Sequence, residues 1–117
     1  MKRTNEFYPG KIVTASPSGS NVGVKEEKTN FLAYKMYFVG RSALPDSIVY
    51  NIVKAMWDTN ADLTAINKPL AGWTTEQFAV DDATIPYHPG AIKFYKEKGV
   101  WTDAMEANQK KLLASKS

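Results

Sequence analysis

Cysteine is absent from this sequence of 117 residues, histidine occurs once, as His88, and arginine twice, as Arg3 and Arg41. Without cysteine there is no disulfide, no thiolate nucleophile and no Cys-ligated zinc, and the absence is compatible with any compartment. A single histidine leaves a zinc site or a metalloprotease pair to be completed by carboxylates alone. No apolar run approaches the roughly 18 residues that span a bilayer. Met1-Lys2-Arg3 has the charge of a signal-peptide start, but Thr4-Asn5-Glu6 stands where its apolar core should follow. The chain is therefore expected to carry no export signal of its own. The 15 basic and 12 acidic residues leave a net charge of +3, and their interspersion describes a solvated surface rather than a binding stripe. Nucleic acid is not an expected partner. Two arginines offer little bidentate phosphate recognition, and Tyr34, Tyr37 and Phe38 do not sit among clustered cations.

What is present is one hydrophobic stretch running into an amphipathic helix. Phe31, Ala33, Lys35, Tyr37 and Val39 alternate with Leu32, Tyr34, Met36, Phe38 and Gly40. Both faces of a strand over 31–40 are largely apolar, which predicts an interior strand rather than an edge. Pro45 suits a first helical position and Asp46 its dipole. Ile48, Val49, Ile52, Val53, Met56 and Trp57 then form one broad apolar face of a helix from about Pro45 to Asp58.

The flanking segments read more simply. Tyr8-Pro9-Gly10 is a turn, Lys11–Thr14 a short strand, 15–21 a loop, and Val22 and Val24 bound a second short strand. Lys25-Glu26-Glu27-Lys28 is an exposed turn. A shorter helix over 58–67, with Leu63 and Ile66 inward, ends at Pro69. Thr74 and Gln77 have capping-box spacing. Pro89 opens a helix that runs to Lys98, with Ile92 and Tyr95 inward and Phe94 beside them, and Gly99 is its left-handed stop. The last helix, from Thr102 to about Ala114, makes its contacts through Trp101, Met105, Leu112 and Leu113, and 101–117 ends in a frayed tail. Strands first and helices after define one α/β or α+β unit over 1–117, and α/β is the class expected.

No catalytic constellation emerges. His88 between Tyr87 and Pro89 reads as a residue that caps or packs at a helix start. Asp81-Asp82 reads as an exposed loop. Ser16, Ser18 and Ser20 have no neighbouring base, and Ser18-Gly19-Ser20 lacks the spacing of a phosphate loop. No enzyme and no cofactor is expected. Lys35 has two readings, a snorkelling lysine along a sheet or a cation at a cleft. Tyr8 likewise either packs in its turn or lines a small-molecule pocket.

Several blocks together resemble one family. Phe7-Tyr8-Pro9-Gly10, the run ending Tyr37-Phe38-Val39, the segment from Leu44-Pro45-Asp46 to Trp57, and Ile85-Pro86-Tyr87-His88-Pro89-Gly90 continuing to Gly99 resemble the C-terminal part of TAXI-type solute receptors of TRAP transporters. The resemblance implies a type II periplasmic-binding-protein architecture of two α/β lobes, with a small organic anion, such as an amino acid or dicarboxylate, closed between them. The first lobe's opening strands would lie outside this chain. It further implies a periplasmic location and delivery of solute to TRAP membrane permease subunits. Residues 31–40 would cross between lobes, and Tyr8, Pro9, Gly10 and Lys35 would face ligand. The alternative is a truncated lobe without ligand that self-associates as a homo-oligomer through an uncovered strand.

Overall fold

The computed structural model describes residues 11–16, 23–26, 28–66 and 72–115. The chain divides into two compact units, 1–39 and 40–117.

In the first unit, β1 (Lys11–Ala15) pairs antiparallel with β2 (Thr29–Ala33). Ile12 stands opposite Leu32 and Val13 opposite Phe31, so each face of the ribbon has one apolar cross-strand pair. Thr14 donates through Oγ1 to Asn30 Oδ1 at 3.0 Å. The expected long interior strand is corrected here. The ladder closes at the Lys11–Ala33 pair, and residues 34–40 hold no strand. Alternation fixes which side chains would share a face, but only a neighbouring backbone makes a strand. Apolar residues on both faces did not mean burial either: Tyr34, Met36, Phe38 and Val39 are exposed, Met36 by 78%. No strand holds Val24, the described member of the expected Val22/Val24 pair. Gly23, at φ +100°, turns in the left-handed region instead.

The second unit is helical. α1 (Asp46–Asp58) begins one residue later than expected. Pro45 has ψ 138°, outside the helix, and its carbonyl accepts from Ile48 and Val49. A break at Thr59 separates α1 from α2 (Asn60–Ile66). A 3₁₀ turn over Thr75–Gln77 follows, then α3 (Pro89–Glu97) and α4 (Asp103–Ala114). Thr74 leads the 3₁₀ turn without a side-chain bond to its backbone. Its hydroxyl engages Glu76 instead, which holds that carboxyl below the usual glutamate range. At the end of α3, Gly99 at φ +71° lets its own N–H reach Lys96 O and that of Val100 reach Tyr95 O, a Schellman closure.

The core of this unit is aromatic. Phe94 is 1% exposed and meets the rings of Tyr50 and Trp57 edge-on at 5.5 and 5.6 Å. Tyr87 stands edge-on to Trp101 at 5.3 Å, and Tyr95 stacks on Trp101 with 5° between planes. Val49, Tyr50, Val53 and Trp57 form the buried side of α1. That stripe is rotated from the expected one, because Ile48 and Ile52 are exposed and Tyr50 takes their place. Tyr50 can face inward because its hydroxyl reaches Glu97 Oε2 at 2.6 Å. Ile66 and Leu113, expected inward, are also exposed.

α1 and α3 touch at their starts. A Cβ on Gly90 would lie 2.2 Å from the carbonyl oxygen of Asp46, so the backbones meet only because Gly90 has none.

Candidate functional site

The sequence-predicted ligand residues fall in the first unit. Tyr8, Pro9 and Gly10 lie outside the described residues. Lys35 lies between β2 and Gly40, exposed and within the run that includes Tyr34, Met36 and Phe38. A lysine on such a run combines a charge with apolar contact area.

The helical unit has an open groove of about 420 Å³ lined by Pro89, Ile92, Lys93, Lys96, Glu97 and Glu106. Its charges are already engaged. Lys96 Nζ lies 3.2 Å from Glu106 Oε2, Glu97 accepts from Tyr50, and the Lys93 ammonium stands 5.6 Å from the centre of the Tyr50 ring. Glu106 also accepts from Trp101 Nε1 at 2.8 Å. That bond, followed by Lys96, holds its carboxyl below the ordinary glutamate range. The Glu97 carboxylate pushes the Tyr50 hydroxyl up from its usual value. These contacts brace α3 against α1 and α4, and they leave the groove little to offer an anion.

Burial raises the Tyr95 hydroxyl above the ordinary tyrosine range, with a smaller contribution from Tyr87. It stays neutral and serves packing. His88 caps α3, as the sequence indicates, with Nδ1 accepting from Gly90 N at 3.2 Å. Asp81 and Asp82 are exposed in a turn. No group of three His, Asp or Glu suited to a metal occurs among the described residues.

Gln109 is the polar residue that sequence reading missed. It is 7% exposed, accepts from Tyr87 N at 2.8 Å and donates to Tyr87 O at 2.9 Å. Both polar groups of its amide are thereby satisfied against an irregular backbone. Its spacing from Met105 and Leu112, four before and three after, puts it on the inward stripe of α4. That was the available signal.

The model of the NMT1-like family matches residues 2–99, and the chain belongs to that family, which is of the periplasmic-binding-protein type. Its members are binding proteins rather than enzymes. The match takes in Tyr8, Pro9, Gly10, Lys35 and all of α1 to α3, and ends at Gly99 where α3 is closed. No solved structure matches the chain. Among the described residues no helix is long and apolar enough to cross a membrane.

Proposed function

We propose that this chain is the solute-binding component, or part of one, of a TRAP-type secondary transporter, and that its ligand is a small organic anion such as an amino acid or dicarboxylate. The observation that carries this reading is the family match over residues 2–99. The TAXI-like blocks from Tyr8-Pro9-Gly10 to Gly99 narrow it to TRAP transport. Tyr8, Pro9, Gly10 and Lys35 are the proposed contacts, with Lys35 supplying the cation. The receptor acts outside the cytoplasm and passes its solute to membrane permease subunits. Isothermal calorimetry with glutamate, 2-oxoglutarate and succinate tests the reading. One of these anions should give saturable heat that Lys35→Ala weakens by tenfold or more, about 1.4 kcal/mol. Absence of heat with every small organic acid overturns it.

A second reading is favoured by the exposure of Tyr34, Met36, Phe38 and Val39. Among the described residues the sheet has two strands and both its edges are unpaired, and such a ribbon is marginal alone. In this reading the chain pairs with its own copy through residues 34–39 and binds no solute. Light scattering behind size-exclusion chromatography separates the two, since a monomer at high concentration excludes the second.

A further inference from the structure

The one histidine of the chain stands where the starts of α1 and α3 meet. Its Nδ1 accepts from Gly90 N at 3.2 Å and also lies 3.7 Å from Asp46 Oδ1. The two contacts need opposite states of one atom. Accepting from Gly90 takes a lone pair on Nδ1, whereas pairing with the Asp46 carboxylate takes a proton there. Nε2 is buried and has no hydrogen-bond partner, so the far side of the ring favours neither contact. We infer that His88 is an acid-responsive latch between α1 and α3: neutral, it caps α3 through Gly90; protonated, it releases Gly90 and pairs with Asp46.

The surrounding groups fit such an exchange. From α1 the facing group is the Asp46 carboxylate, the one acid within ion-pair distance of the ring among the described residues. α3 carries no charge before Lys93, whose ammonium stands over the Tyr50 ring. α4 reaches the neighbouring Tyr87 backbone through the neutral Gln109, and the Tyr87 hydroxyl accepts from Val80 N. The positive ends of both helix dipoles oppose a charged ring, and Asp46 offsets them. Because Gly90 is wedged against the Asp46 carbonyl, a ring that changes partners acts where the two helix starts meet.

A lone histidine gives a single set of imidazole signals, so nitrogen-15 NMR reads the latch directly. In the neutral form the ring should carry its proton on Nε2, and across an acid titration the Gly90 amide should follow the ring signals. Its exchange, corrected for intrinsic pH dependence, should quicken roughly 3- to 30-fold as the cap is lost. His88→Asn retains a capping oxygen and should make Gly90 protection flat across the same range. Asp46→Asn removes the acidic partner and should keep the cap in place to lower pH. A proton on Nδ1 at high pH, or a wild-type Gly90 amide indifferent to the titration, overturns the latch. An unchanged response in Asp46→Asn overturns the role of Asp46. If His88→Asn fails to fold, the wild-type titration decides.

Discussion

The ribbon of β1 and β2 and the helical unit both carry large apolar side chains and end in opposite states. In the ribbon, Ile12, Val13, Phe31 and Leu32 remain 40–51% exposed, because a two-stranded sheet has no second layer of its own. In the helical unit, α1 and α3 clasp Phe94 down to 1% exposure, with Tyr95 at 5% beside it. The difference lies in how the elements pack. Helices α1, α3 and α4 bring apolar stripes together from several directions, whereas a hairpin presents two flat faces and needs a partner for each. The candidate ligand residues belong to the less covered unit, where a binding surface must leave side chains available.

That contrast can be broken most sharply at Phe94. Phe94→Ala should destabilise the helical unit by about 3–5 kcal/mol, since it removes a ring that Tyr50 and Trp57 both contact. Trp57, Trp73 and Trp101 all lie in that unit, so tryptophan fluorescence during urea denaturation reports the loss. Gly90→Ala comes next. Its methyl group would strike the Asp46 backbone, and prying α1 from α3 should cost about 1–3 kcal/mol by the same measurement. In the ribbon the effects should be smaller. Phe31→Ala leaves Val13 without its cross-strand partner and should cost about 1 kcal/mol or less, read from amide exchange along β1 and β2. A cost equal to that of Phe94→Ala would erase the distinction between the units.

The smallest effect concerns acid. The Glu106 carboxyl is held below its unfolded value by Trp101 and then Lys96. Its contribution is therefore present above the ordinary glutamate range near pH 4.3 and lost as pH falls through the lower folded value. Trp101→Phe should flatten this part of the fall in melting temperature between about pH 7 and pH 3. Glu106 is partly exposed, so the change should be slight.

The helices were largely legible because their punctuation is local. Pro45, Asp46, His88, Pro89, Gly99 and Thr102 each act within one turn of chain, and the boundaries of α1, α3 and α4 followed from them to within a residue or two. The orientation of α1 was less legible. Six apolar residues and Tyr50 span more than one face, and the choice among faces depends on Glu97, 47 positions away in sequence from Tyr50. Residues 34–40 misled for a related reason. Their alternation specifies a strand only if another strand lies alongside, and pairing is a property of the fold rather than of the segment. For the candidate site the sequence offers residue types and a family resemblance. Its geometry was not legible, because a cation and an apolar run become a pocket only through the elements that face them.

The most direct test of the central claim, an organic-anion receptor whose ligand contacts lie in residues 1–39, is hydrogen exchange by mass spectrometry with and without the anion that gives heat. The account predicts ligand-dependent protection in peptides containing Tyr8-Pro9-Gly10 and Lys35, with the groove between α3 and α4 unchanged. Protection confined to Lys93, Lys96 and Glu106, or no protection anywhere with any organic anion, would contradict it.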